Sequence, residues 1–282
     1  MIVDRGGGLG VASDVAVDDP DDPRLIDYRS LTDVELRVRY EGDVGVFIAE
    51  GPLAVRELLT SPYDVRSVLV TPSHHAKLGA ALDGLRAPVY VASEQVLDAI
   101  AGFHLHRGAL ACGVRRELPS ISDVLATARV VCVLERINDH ENLGAIFRNA
   151  RALGVDAVLL CPECCDPFYR RAIRVSMGHL LHVPIARTLS LPAALGQLHD
   201  AGFTTVALTP DPSAEPVHYL DGLRGHRVAL LLGAEGPGLR ATTQAGATRR
   251  VRIPMRPDVD SLNVGTAAAI AFHRLLAEEP LA

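Results

Sequence analysis

Five consecutive apolar residues, Val228-Ala-Leu-Leu-Leu232, run straight into Gly233-Ala-Glu-Gly-Pro-Gly238, and this junction constrains the fold more than any other stretch of the chain. A strand without polar alternation cannot leave one face in water, so it belongs in a parallel sheet covered on both sides. Glycines directly after such a strand make a tight turn where a ligand can approach the backbone closely. Their spacing is G-x-x-G-x-G, not the G-x-G-x-x-G of a dinucleotide fold, and the turn stands late in the chain instead of after a first strand. A phosphate loop of the form G-x-x-x-x-G-K-[ST] is absent from the sequence.

Similar apolar runs recur and alternate with helical patterns, which is the signature of an α/β fold. In the first half, helices are predicted at 31–39, 52–59, 77–85 and 94–100, the last capped by Ser93, with strands at 44–50, 66–71, 88–92 and 108–114. In the second half, strands are predicted at 130–135, 157–161, 183–186, 204–208, 228–232 and 251–253. Helices there fall at about 142–153, 167–181, 191–201 and 262–278. Residues 1–24, rich in Gly, Asp and Pro, read as a mobile acidic leader. Residues 25–115 form a first domain, 116–127 (RELPSISDVLAT) a polar linker, and 128–282 a second domain.

Charge decides little by itself. The net value is −6, yet residues 1–50 hold 12 acids and 5 arginines, which leaves the remainder close to neutral. Arginine supplies every cation except Lys77; its planar fork suits phosphates and base edges, though a GC-rich genome explains the bias as well. RNA binding therefore needs a local arginine patch. No apolar run approaches the roughly 18 residues of a membrane span, and the first residues lack the pattern of a secretory signal. A cytoplasmic protein is expected. Five cysteines, an odd number, fit a reducing compartment better than a disulfide framework. Cys161-Pro-Glu-Cys164 with His179-Leu-Leu-His182 superficially suggests zinc. The histidine spacing is shorter than the usual gap of about three to five residues, and Cys161 ends an apolar run, so no metal is expected.

Two further segments carry polar residues at the ends of apolar elements. In Asn142-Leu-Gly-Ala-Ile-Phe-Arg148-Asn-Ala150, apolar residues at a 3–4 period place Asn142 and Arg148 on one helix start, with Gly154 as its stop. A lone helix arginine is ordinarily a solvated face residue. In Ile253-Pro-Met255 through Ser261-Leu-Asn263, a strand passes through a loop into a helix, with Ser261 as the predicted N-cap and Asn263 in the first turn. The small residues Gly265 to Ala271 suit close helix packing.

In order and spacing, the three segments resemble the motifs of the SpoU/TrmH family of SPOUT RNA methyltransferases, over roughly residues 128–276. The resemblance implies an S-adenosylmethionine-dependent enzyme that methylates a ribose 2′-hydroxyl of RNA, rRNA (23S) first and tRNA as the alternative. It also implies a C-terminal parallel-sheet domain with a deep trefoil knot, and a homodimer. Carried over residue by residue, cofactor contacts fall to Leu208, Thr209, Gly233, Gly236, Ile253, Met255 and Leu262. Catalytic or substrate-positioning roles fall to Arg148, Glu235, Asn142, Ser261 and Asn263. A weaker resemblance over 31–114 implies an auxiliary RNA-binding domain similar to the ribosomal protein L30e fold, with Arg107 where many relatives carry glutamine. Arg170, Arg171 and Arg174 are candidates for tracking an RNA backbone. A non-catalytic RNA-binding protein that kept the fold is the competing class; a nucleotide-dependent oxidoreductase fails on glycine spacing.

Overall fold

Asp14–Val17 forms a first strand, β1, where the sequence predicts a leader. The computed structural model describes residues 14–102 and 108–276, and the chain divides into two compact units, residues 1–116 and 117–282. Over its described part, residues 14–24, the leader expectation is corrected: the strand pairs with β4, and Val17 is buried in the core of the first unit. The acidic composition around Val17 hides this apolar anchor.

After a 3-10 turn at Pro23–Tyr28, the first unit continues through α1 (Val34–Val44), β2 (Val46–Glu50), α2 (Pro52–Thr60) and β3 (Val65–Val70). It closes with α3 (Pro72–Leu78), β4 (Val89–Ala92), α4 (Glu94–Ala101) and β5 (Ala109–Val114). The strands assemble in the order β1-β4-β3-β5-β2, with β5 antiparallel to both its neighbours and the other pairs parallel. The helix predicted at 77–85 starts earlier, because Pro72 sits in its first turn and Thr71 caps it through the His74 N–H; Gly79, at φ +41°, ends it.

The second unit opens with α5 (Ile121–Thr127), which replaces the predicted linker. Its cause is a capping box: Ser120 accepts from the Asp123 N–H, while Asp123 accepts from the Ser120 N–H, and Val124 and Leu125 are buried beneath. There follow β6 (Val130–Glu135), α6 (His140–Leu153), β7 (Ala157–Leu160), α7 (Arg170–Val175), β8 (Ile185–Arg187) and α8 (Leu191–Asp200). The chain finishes through β9 (Thr204–Leu208), β10 (Glu215–Pro216), β11 (Val228–Gly233), α9 (Ala241–Gly246), β12 (Arg249–Arg252) and α10 (Val264–Leu276). The single helix predicted at 167–181 is broken. Met177 and Gly178 adopt φ +57° and +87°, which ends α7 and leaves a separate 3-10 turn at His179–His182.

All seven strands of this unit run parallel, in the order β10-β12-β9-β11-β6-β7-β8. One face of the sheet is covered by α5 and α8, whose Val124, Leu125, Leu191, Leu195 and Leu198 cluster with Val131, Leu159 and Leu231. On the other side α6 and α10 pack together, joined by the Asn149 Nδ2 donating to Gly265 O at 2.9 Å. Val228 to Leu232 are accordingly buried throughout, as their composition requires. Later strands are inserted beside β6 while β7 and β8 extend the other way, so the strand order reverses between β6 and β11. Loops after the strands near such a reversal are where open α/β sheets bind ligands. Among the described residues no helix is long and apolar enough to cross a membrane.

Candidate active site

The loops that leave β9, β11 and β12 converge on one cleft. Leu208, Thr209 and Pro210 line it from β9; Gly233, Ala234, Glu235, Gly236 and Gly238 from β11; Ile253, Met255, Ser261 and Leu262 from the segment between β12 and α10. Its empty space is about 680 Å³, open mouth included. All seven residues assigned to the cofactor by the sequence lie on this one wall, although they are spread over 55 positions of sequence.

The β11 loop has its shape for steric reasons. An added Cβ on Gly233 would lie 2.2 Å from the backbone of Gly238 and Leu239, so the loop doubles back onto its own start. The Gly238 N–H donates to Ala234 O at 2.9 Å, and Gly236 and Gly238 take positive φ. A buried carboxylate anchors the far end of the loop. Glu135, the last residue of β6 and only 1% exposed, accepts from the Arg240 N–H at 2.8 Å and from the Thr243 hydroxyl at 3.0 Å. Beside it Arg136, at φ +57°, donates from Nη2 to Gly238 O at 3.2 Å. Sequence reasoning missed Glu135, Arg136 and Thr243. The available signal was an acidic residue closing an otherwise apolar strand, a position where a carboxylate has to find donors.

At the rim, Asn263 gathers the polar residues. Its Nδ2 donates to Asn142 Oδ1 at 2.7 Å and to Glu235 Oε1 at 2.8 Å, and its Oδ1 accepts from the Thr266 N–H at 3.2 Å. Asn263 is therefore the N-cap of α10, and the expectation that Ser261 caps the helix is corrected: Ser261 stays in the loop and lines the cleft. Asn142 is presented by the first turn of α6, which Asp139 caps by accepting from the Glu141 and Asn142 N–H groups at 2.8 Å each.

Three of the five predicted polar site residues, Asn142, Glu235 and Asn263, thus form one hydrogen-bonded set, and Ser261 faces the cleft beside it. Arg148 does not join them. It is exposed on α6, and six residues from Asn142 a helix has turned it well away from the Asn142 face. The partner of Glu235 is Asn263, not Arg148. Arg171 is paired with Glu141, Nε to Oε1 at 2.9 Å, while Arg170 and Arg174 are half-buried and have partners of their own. Arg107 lies outside the described residues.

A family profile described as the SpoU rRNA Methylase family matches residues 129–273, slightly more than half of the chain. An uncharacterized tRNA/rRNA methyltransferase of Mycobacterium tuberculosis (strain H37Rv) is 48% identical over 256 residues, covering 90% of this chain and 89% of that protein. This chain belongs to the SpoU rRNA methylase family. Another relative, the 23S rRNA (guanosine(2553)-2′-O)-methyltransferase RlmP of Bacillus subtilis, is 29% identical over 231 residues, 81% of this chain and 88% of that one. The crystal structure of an S-adenosylmethionine-bound rRNA methyltransferase from Sinorhizobium meliloti superposes with a TM-score of 0.78 at 24% identity. It covers 93% of this chain and 97% of its own, so the α/β architecture is shared along nearly the whole length.

For a SpoU-family cleft, the lining has a clear chemical character. Leu208, Leu232, Ile253, Leu262, Val264 and Ala267 offer an apolar slot for a flat ring; Thr209, Ser261 and Glu235 offer polar groups for a sugar diol and an amine. Gly236 carries no side chain, and a Cβ there would meet open space within 4 Å, so a ligand can rest on its backbone. These groups suit S-adenosylmethionine.

Proposed function

We propose that this chain is an S-adenosylmethionine-dependent RNA methyltransferase that modifies a ribose 2′-hydroxyl, with rRNA, and 23S rRNA first, as its substrate. The observation that carries the reading is the convergence of three separate sequence segments on one cleft whose rim is the Asn142–Asn263–Glu235 set. Family membership and the activities of relatives such as the Bacillus subtilis enzyme support the same reaction.

When bound, S-adenosylmethionine supplies an electrophilic methyl on a sulfonium, so the chain has to hold the hydroxyl in line and take up its proton. Leu208, Thr209, Gly233, Gly236, Ile253, Met255 and Leu262 hold the cofactor. Asn263 is fixed on three sides and orients Glu235 and Asn142, which position the ribose together with Ser261. Arg148 grips a substrate phosphate and stabilises the forming alkoxide; a guanidinium is effectively always protonated and makes a poor base. Because Arg148 stands apart from this set within one chain, the reading includes a homodimer in which Arg148 completes the site across the interface. A deep trefoil knot around the β11 and β12 loops, an L30e-like role for the first unit, RNA contacts from Arg107, Arg170, Arg171 and Arg174, and a cytoplasmic setting belong to the same proposal. The division of labour in this reading is RNA capture by the first unit and transfer by the second.

The test is to incubate purified protein with labelled S-adenosylmethionine and separate rRNA and tRNA pools, then map protected 2′ positions. Label in 23S rRNA is expected; label confined to tRNA would move the substrate, and none in either pool would leave the non-catalytic RNA-binding reading. Arg148→Ala should abolish transfer with cofactor affinity near normal, and a loss of affinity would overturn its role.

A further inference from the structure

The proposed mechanism leaves one pair of reactive side chains unused. Cys161, directly after β7, and Cys164 sit at the two ends of a tight turn closed by the Cys164 N–H donating to Cys161 O at 3.2 Å. Such a turn keeps its end Cα atoms within about 7 Å, a span that overlaps the range of about 4.4–6.8 Å that a disulfide uses. The sulfurs already face each other at 3.7 Å. Their surroundings are unequal: Cys161 Sγ accepts from the Arg136 N–H at 3.1 Å, whereas Cys164 Sγ donates to Leu134 O at 3.2 Å. Accordingly the contact with the Cys164 sulfur and the Arg136 N–H hold the Cys161 thiol down to about 7, while the same contact and burial push Cys164 up. Cys164, at 6% exposure, marks the side from which a small reagent enters, and Cys161 lies covered directly behind it. The remaining thiols lack this geometry. Cys112 and Cys132 are buried, and burial pushes both up; Cys165 is pushed up to about 12 in the same way.

The turn is wired to the cleft on both sides. Glu163, between the two cysteines, binds Arg240 at 2.7 Å, and the Arg240 N–H is held by Glu135. Arg136, whose N–H contacts Cys161, holds Gly238 O.

We infer that Cys161 and Cys164 form an oxidisable dithiol, closed to a disulfide by a small hydroperoxide, and that Arg136 and Glu163 pass the change to the 233–240 loop. The Cys161 sulfur, the more readily deprotonated of the two, attacks one peroxide oxygen; the O–O bond breaks, an S–O bond forms, and the Cys161 proton leaves in a first water molecule. The Cys164 sulfur then attacks the Cys161 sulfur and displaces that oxygen, the S–S bond forms, and the Cys164 proton leaves in a second water. Two thiols are oxidised by two electrons and one peroxide is reduced. Closing the sulfurs from 3.7 Å to about 2.05 Å turns Cys161 Sγ away from the Arg136 N–H, and Arg136 can no longer fix Gly238.

The full chain is treated with hydrogen peroxide, alkylated under denaturing conditions and weighed. Five additions are expected before treatment, matching the five free cysteines, and two fewer after it, with a 161–164 cross-link in the peptide map. Cys165→Ser should keep the cross-link; Cys161→Ser and Cys164→Ser, checked for a normal melting transition, should lose it. An unchanged count, or a link through Cys165, overturns the proposal. Hydrogen exchange across 233–240 should accelerate several-fold on oxidation and recover with dithiothreitol; a cross-linked protein with unchanged exchange overturns the coupling. The consequence for cofactor rests on the proposed function. Reduced protein that binds no S-adenosylmethionine defeats that reading, and the thiol count and exchange still decide this one.

Discussion

Gly233 and Gly236 look alike in sequence and carry different burdens in the fold. At Gly233 a Cβ would collide with backbone at 2.2 Å, and backbone cannot swing aside as a side-chain end can. At Gly236 the same atom meets no protein atom, and within the protein only the positive φ of +80° is at stake, worth about 1–2 kcal/mol. Gly233→Ala is therefore expected to open the loop and weaken S-adenosylmethionine binding by more than about tenfold, whereas Gly236→Ala leaves the loop closed and weakens binding less, by the space its Cβ takes from the ligand. Calorimetric titration of both variants separates the two cases; equal affinities would contradict the steric argument. A second residue-scale expectation concerns Glu163, which its hydrogen bond to Arg240 holds down at about 2, from an ordinary 4.5. With its folded value depressed, its contribution is present above pH 4.5 and lost as pH falls towards 2. The pair is exposed, so the effect is small. The stability difference between wild type and Glu163→Gln should shrink over that interval, and a constant difference would show that the pair does not form. The glycines were legible in the sequence because special backbone positions accept few residue types; Asn263 was singled out through the family motif, while its role as the cap was read onto Ser261. Glu135 was not, since its donors come from residues more than one hundred positions away.

Long elements with a local cause were legible; those created by distant contacts were not, and neither was α5, whose capping box sits in a short polar stretch read as a linker. The helix around Phe147 could be read from its period and from Gly154, which ends it at φ +87°. β1 could not, because its pairing partner is β4, and neither could β10 or α9, both too short to show a period. Met177 broke a helix that composition alone would continue. α6 itself is held between two neighbours by missing side chains. A Cβ on Gly144 would stand 2.7 Å from Ala172 O in α7, whereas one on Gly265 of α10 would stand 3.0 Å from Ala145 Cβ of α6. The first is backbone and fixed; the second asks a methyl to give by a few tenths of an ångström. Gly144→Ala should therefore destabilise by about 1–3 kcal/mol despite its gain in helix propensity, and Gly265→Ala by less. Urea unfolding measures both, and a stabilised Gly144→Ala would show that α6 and α7 are not in this contact.

At the scale of the whole molecule, each unit owns a core. Leu25, Tyr28, Ile48, Leu69, Leu97 and Leu110 close the first, and Val131, Leu159, Leu198, Phe203 and Leu231 close the second. Every residue of the cleft lies in the second unit, and so do the capping box of α5 and both helices that cover the far face. The residues that line the cleft run from 208 to 267. Residues 117–282 expressed alone are thus expected to unfold in one cooperative transition and to bind S-adenosylmethionine within a few-fold of the full chain. Methylation should behave differently. The RNA contacts proposed for the first unit are then absent; because that unit is acidic overall, they have to come from a local arginine patch. KM for rRNA should rise by at least about tenfold at physiological salt, while turnover at saturating RNA changes far less. A truncated protein that retains full activity at low RNA concentration would show that the second unit captures its substrate unaided; one that loses cofactor binding would show that the cleft depends on the first.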